Sequence, residues 1–406
     1  MSKRLIPFGI FLLVLSIIGS QVGCTSSKPA APATIKIGAV VPLTGRYAAG
    51  GTQVKAGYEF AVEDINKAGG VYVKEYGKSI PLELKMLDDE SDPAKTVSRL
   101  ETLNSDKVVA YLGGFGSDLH AAGAAIADKN KVPYLGVAFA LWNIHQKGYK
   151  YLFSPFPKSP DLARATLELA NSLPKDQRPT KFAIFEEETD WGVEMSNEWK
   201  KNAAGFGFPI AVDEKYSPGA KDFSSMILKA KNAGVDAVLA LPNPPDGMAI
   251  TKQMRELGFN PKYVAFMRAP DAPVWAQNLG KDGDYVVLGP GWHYGVNYPG
   301  VKELNAEHQA KFGRPADVIV GPAYACVQIL AEAIKNAGTL DREAVRNAIA
   351  AINTNTVEGP VSFRPDGTGV VQTVLAQWQN GKQELIWPKD MATKPFAYPA
   401  KPWNER

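Results

Sequence analysis

The turn Gly113-Gly114-Phe115-Gly116 runs into Ser117 and Asp118, where a helix is expected to begin. Glycines let a ligand approach the backbone, and a serine hydroxyl beside unpaired helix N–H groups suits a carboxylate. Phe115, Gly116 and Ser117 are therefore candidate contacts, and Ala138, Phe139, Ala140 and Trp142 form a second candidate wall after the next strand. Tyr47 follows the first strand, Trp191 opens a later helix, and Pro242, Asn243 and Arg268 follow two further strands. Arg268 offers the planar fork of donors that grips carboxylates. Trp292 sits in the run Gly289-Pro290-Gly291-Trp292-His293-Tyr294-Gly295, near an expected crossing between lobes. Aromatic side chains bring large apolar area with defined stacking geometry. Together these residues point to capture of a flat or aromatic carboxylic acid.

Residue types for bond-breaking chemistry do not assemble. Gly77-Lys78-Ser79 mimics half a phosphate-binding loop, but Tyr72 stands where the first glycine belongs. The histidines at 120, 145, 293 and 308 have no metal-ligand spacing, and no Gly-x-Ser-x-Gly elbow occurs. Glu186-Glu187-Glu188 reads as a solvated cleft rim or helix cap, and Cys326 as a small core residue. No catalytic residue, cofactor or metal is expected. The 45 basic residues are spread along the chain, with no stripe suited to nucleic acid.

The elements that must position these residues alternate. Strands are expected at 35–41, 82–87, 108–112 and 133–137, with helices at 52–68, 93–105 and 117–129. A second series follows: strands at 181–185, 210–216, 237–241 and 263–266, helices at 161–172, 193–204, 222–233 and 247–257. Two βα series predict an α/β fold of two doubly wound, Rossmann-like lobes. In the last third, helices are expected at 299–312, 321–337 and 341–352. Strands at 359–363 and 370–377 flank the turn Arg364-Pro365-Asp366-Gly367. This late return implies several hinge crossings. The expected domains are 35–155 plus 292–358 for lobe 1, 156–291 plus 359–390 for lobe 2, and a tail at 391–406.

The N-terminus carries Lys3 and Arg4, an apolar run over 5–18, and small residues up to Cys24. That layout is a secretory signal, short for a transmembrane helix. Its ending, Val22-Gly23-Cys24, resembles a bacterial lipoprotein lipobox, although Gln21 departs from the usual leucine. Export of the protein to the periplasm or cell surface is expected, with residues 1–24 as signal, lipid on Cys24 and a flexible tether at 25–34 rich in Ser, Lys, Pro and Ala. With Cys24 lipidated, Cys326 has no disulfide partner.

Residues 34–390 resemble the type I periplasmic binding proteins of the leucine/isoleucine/valine-binding group. The resemblance is carried by an ordered series: Ile35-Lys36-Ile37-Gly38, Pro42-Leu43-Thr44-Gly45, Ala56-Gly57, Asp64-Ile65-Asn66 with Gly69-Gly70, Leu87-Asp88-Asp89 with Asp92-Pro93, Asp190-Trp191-Gly192, and Lys221-Asp222-Phe223-Ser224. It implies a solute-binding protein that hands its cargo to the permease of an ABC importer, with hinge closure around a ligand between the lobes. Amino-acid binders of this group carry an Ala-Thr pair where this chain shows Phe139-Ala140. They also carry a carboxylate for the ligand ammonium after the strand ending at Phe266. If Arg268 fills that place, an acid is favoured; if Asp271 does, an amino acid remains the cargo. The first of these is the leading expectation, and a branched-chain or other amino acid, or a freestanding sensor role, is the alternative. Only 19 polar and Pro-rich residues follow Trp387, which argues against a continuous receptor.

Overall fold

The computed structural model describes residues 1–3 and 30–406, so nearly all of the signal, Cys24 and the first half of the tether lie outside the described residues. The first lobe is built from β1 (Ile35–Val41), α1 (Ala48–Lys67), the hairpin β2 (Val71–Val73) and β3 (Lys78–Ile80), β4 (Leu82–Asp88), α2 (Pro93–Ser105), β5 (Tyr111–Leu112), α3 (Ser117–Asn130), β6 (Tyr134–Leu135) and β7 (Leu152–Phe153). Its five-stranded sheet has the order β4-β1-β5-β6-β7 and is parallel throughout. Ile35 lies opposite Leu82 and Gly38 opposite Tyr111, so the connection direction reverses between β1 and β5. Such a reversal opens a crevice beyond the carboxyl ends of the two strands.

The second lobe runs through α4 (Ser159–Asn171), β8 (Phe182–Glu187), α5 (Asp190–Phe206), β9 (Ile210–Tyr216), α6 (Ser224–Asn232), β10 (Ala237–Ala240), α7 (Pro244–Glu256), β11 (Tyr263–Phe266), α8 (Val274–Leu279) and β12 (Val286–Leu288). The chain then forms α9 (Val301–Phe312), α10 (Val320–Ala337), α11 (Arg342–Ala350), β13 (Asn353–Thr356), β14 (Gly359–Phe363), β15 (Gly369–Val370), β16 (Leu375–Gln379) and β17 (Lys382–Trp387). The seven-stranded sheet has the order β17-β16-β12-β11-β10-β8-β9, with β16 and β17 antiparallel to their neighbours. Here the reversal falls between β8 and β10.

Capping residues fix where the helices begin. The Asp92 carboxylate accepts from the N–H groups of Ala94 (2.7 Å) and Lys95 (3.3 Å), with Pro93 at the first helical position. Thr189 caps α5 through the Gly192 N–H at 3.0 Å, and Asn243 caps α7 through the Asp246 N–H at 3.1 Å. In the first lobe α10 packs directly on α1. A Cβ at Gly57 would come within 2.4 Å of the Val320 carbonyl oxygen, so this contact requires glycine.

Three connections join the lobes: β7 to α4, β12 to α9, and β15 to β16. One expected boundary is corrected. Residues 359–370 are expected with the second lobe, but β14 and β15 pair with β13, and Thr368 bridges to Ser154 at the end of β7. Only β16 and β17 join the larger sheet. The expected strand over 370–377 is split because the chain crosses the hinge within it. The segment 391–406 packs on the second lobe, where the Trp403 indole donates to the Phe259 carbonyl at 3.0 Å and the Arg406 guanidinium lies 3.6 Å over the Trp403 ring.

Candidate functional site

The two sheet reversals face each other across the cleft, and two joined chambers lie between them. One has a volume of about 80 Å3 and is polar: Tyr47, Ser117, Asp118 and Leu141 come from the first lobe, and Glu187, Thr189, Asp190, Trp191 and Arg268 from the second. The other, of about 20 Å3, is apolar, with Phe115, Ala138, Phe139, Ala140, Phe156, Leu162 and Met267 in its walls. Trp191 and Arg268 line both chambers, and Asp271 lines the apolar one. A wider groove of about 510 Å3 between α4 and the segment after β17 lies on one lobe only, and its sole charged side chains are Lys389 and Lys394. The interlobe chambers, which draw opposing groups from both halves, are the better recognition site.

In the first lobe, the loop after β5 turns through Gly116 at φ +115°, a conformation that favours glycine; a Cβ there would also meet the Tyr47 ring at 2.8 Å. Ser117 follows as the first residue of α3, whose opening N–H groups have no helical acceptor. The next loop supplies Ala138 to Leu141. Phe139 is buried in a column of rings, 4.4 Å from His120 and 5.6 Å from His145, with the Lys158 ammonium 3.5 Å from its centroid. Burial pushes both imidazoles down to about 3, so they stack as neutral rings.

In the second lobe, the chain reverses at Arg268, with φ +81° and ψ −54° and the Ala269 N–H donating back to the Met267 carbonyl at 3.2 Å. This is a γ-turn of the strained hand, which costs about 1–3 kcal/mol and persists where its surroundings hold it. Arg268 is only 6% exposed. It pairs with the Glu187 carboxylate and donates to the Leu241 carbonyl at 2.8 Å, the Pro242 carbonyl at 3.4 Å and, across the cleft, the Tyr47 hydroxyl at 3.4 Å. Burial works against its charge, but the Glu187 carboxylate outweighs that and holds its pKa above the ordinary arginine value. Trp191 and Tyr47 flank the cation at 5.2 and 5.5 Å. Burial pushes the Tyr47 hydroxyl up to about 12, which keeps it neutral.

Asp271 is buried beside this turn. Its Oδ1 has no hydrogen-bond partner among the described residues, and burial pushes the carboxyl well above the usual carboxylate range, with Arg268 acting the other way. Its backbone carbonyl accepts from the amides of Gln53 and Gln383, both at 3.2 Å.

Nine expected site residues thus meet at the chambers: Tyr47, Phe115, Gly116, Ser117, Ala138, Phe139, Ala140, Trp191 and Arg268. Four do not line them. Pro242 stands behind Arg268, whose Nε–H donates to its carbonyl. Trp292 is fully buried behind the hinge, where its indole donates to the Val357 carbonyl at 2.8 Å and packs on Gly321. Asn243 is consumed as the cap of α7, and the Trp142 ring lies outside at 37% exposure. Glu187, Leu162 and Met267 escape a reading of the sequence, because apolar and acidic residues at strand ends suit core and rim equally well.

Residues 34–383 match the model of the family described as periplasmic binding protein. The Leu/Ile/Val-binding protein homolog 8 of Brucella abortus is 24% identical over 401 residues, covering 93% of this chain and 96% of that protein. Among solved structures, the branched-chain amino acid transporter substrate-binding protein LivJ of Streptococcus pneumoniae, in complex with isoleucine, superimposes with a TM-score of 0.77 at 24% identity, over 87% of this chain and 100% of that one. A solute-binding protein of an ABC transporter from R. palustris, in complex with benzoate, gives 0.74 at 20% identity, over 87% and 95%. At these identities the solved structures establish the fold. With one family model spanning most of the chain and the doubly wound lobes in place, this chain belongs to the periplasmic binding protein family, and it is similar to proteins named Leu/Ile/Val-binding.

Proposed function

We propose that the chain is the extracytoplasmic solute-binding component of an ABC importer and that its cargo is an α-amino acid with an apolar side chain. The observation that carries the choice of cargo is Asp271, a buried carboxyl with an unpartnered oxygen in the wall of the apolar chamber. A ligand ammonium there would satisfy it and restore its charge. The α-carboxylate would meet the Ser117 hydroxyl, the free N–H groups of α3 and the remaining N–H of Arg268, and the side chain would lie among Phe115, Phe139, Phe156, Leu162 and Met267. Such a ligand contacts both lobes at once, so its binding energy favours the closed form. No bond is made or broken. The names of the Brucella and LivJ relatives support this reading.

Arg268, the residue expected to select an acid, is already neutralised by Glu187, and this moves weight from an aromatic acid to the amino acid. The aromatic acid stays as the second reading, favoured by the ring-lined chamber and the benzoate-binding neighbour. Export, lipid attachment at Cys24 and docking to permease subunits belong to the same proposal. A thermal-shift screen separates the ligands. Leucine, isoleucine or phenylalanine should raise the melting temperature more than benzoate or cinnamate, and the reverse order would favour the second reading.

A further inference from the structure

A contact between the lobes lies outside both chambers. Glu194, on the second turn of α5 in the second lobe, points at a short 3-10 turn, Trp142–Lys147, that connects β6 to β7 in the first. Its two carboxylate oxygens each accept one backbone N–H, from Trp142 and from Asn143, both at 2.7 Å. Two consecutive N–H groups on one ionised carboxylate form a bidentate, charge-assisted pair. These donors open a 3-10 turn, where no acceptor within the turn can reach them.

Among the described residues, other hydrogen bonds across the cleft involve the walls of the ligand chambers. Tyr47 and Arg268 line the polar one, and Gln53 ties the Asp271 backbone carbonyl to the Ile319 N–H of the first lobe. Glu194 lines neither. It lies with Asp190, Val193, Asn197 and Glu198 in a groove of about 460 Å3 on the cleft rim, opposite Trp142, Asn143 and Gln146.

From this geometry we infer that Glu194 is a closure latch: its bonds to the Trp142 and Asn143 N–H groups hold the lobes shut without touching the ligand. The inference rests on the reading of the cleft as a trap that opens and closes, and it adds a device that sets the trap's resting position. A latch of this kind raises the affinity of every ligand by one common factor, since each binds only the fraction of protein that can close.

The test measures interlobe distance in the ligand-free protein. Spin labels at Lys95→Cys on α2 and Lys201→Cys on α5, in the full chain carrying Cys24→Ser, report the separation by pulsed electron paramagnetic resonance. Cys326 is buried and does not compete for label. The chain with Glu194 intact should show a dominant short distance. In Glu194→Ala the closed-to-open ratio should fall by about tenfold to a hundredfold, and Glu194→Gln, which keeps one acceptor oxygen, should lie between. Should Glu194→Ala fail to fold, the isosteric Glu194→Gln carries the comparison. Superimposable distributions for intact chain and variants, or an intact chain that is already wholly open, would overturn the latch. Leucine and benzoate serve as ligand probes. The latch predicts that whichever binds loses affinity in Glu194→Ala with no change in rank order, whereas a selective loss contradicts it. Failure of both probes to bind counts against the proposed cargo and leaves the distance measurement decisive for the latch.

Discussion

The two lobes are built on the same winding principle but bring different chemistry to the cleft. The first ends its short strands in Gly113 to Ser117 and Ala138 to Leu141, and it offers backbone N–H groups, a hydroxyl and phenyl rings. The second ends its strands in Glu187, Leu241 and the Arg268 turn, and it offers the buried charges. Buried charge is costly unless paired, which on the proposed reading makes the second lobe the discriminating one. The first lobe supplies contacts that any acid with an apolar body can use.

Removing the charged centre of the second lobe strikes hardest at this contrast. Arg268→Ala leaves Glu187 buried without its partner and should cost about 3–5 kcal/mol in denaturant unfolding. Adding Glu187→Gln should recover part of that loss; simple addition of the two costs would refute the pairing. Next, Asp271→Asn keeps shape but removes the ammonium's counter-charge. Amino-acid affinity measured by calorimetry should fall by about 30-fold or more, the scale of one buried charge-assisted bond. Benzoate affinity should hold or rise.

Acid separates the lobes in another way. His120 and His145 are held down to about 3 and His293 to about 4, in each case first by burial, against an ordinary value of 6.5. These groups fold neutral, so the stability they lend is complete above about 6.5 and drains away as pH falls towards about 3 for His120 and His145 and about 4 for His293. Each contributes a slope of up to about 1.4 kcal/mol per pH unit. All three sit in the first lobe or the hinge, and none of the second lobe's residues from 159 to 288 is a histidine. Hydrogen exchange at pH 4.5 should therefore loosen β5, β6 and α3 before β8, β10 and β11. Uniform loosening of both sheets would contradict the asymmetry. The smallest effect is at Ser117→Ala, which removes one hydroxyl bond to the ligand carboxylate and should weaken every carboxylate ligand by about tenfold.

The same asymmetry governs what the amino acids reveal by themselves. Glycine turns and caps carry their own geometry, so the Gly113 to Ser117 loop and the Asp92 cap are legible in the sequence. Arg268 and Asp271 are not separable there, because the γ-turn between β11 and α8 brings both to the chamber wall and no spacing rule reveals it. Trp292 misleads for a related reason. A tryptophan after a glycine turn looks like a cleft residue, but the missing side chain of Gly321 opens a slot for it behind the hinge. The return of 359–370 to the first lobe is hidden too, since a hairpin turn says nothing about which sheet the hairpin meets.

On the proposed reading, the second lobe alone supplies the partner for a ligand ammonium, Asp271, while carboxylate and apolar body meet groups from both lobes. Calorimetric titration with phenylalanine and leucine, each beside its deaminated analogue, 3-phenylpropanoate and 4-methylpentanoate, isolates that single group. At least one amino acid should bind about 30-fold or more tighter than its analogue. Equal or tighter binding by the analogues would contradict this division.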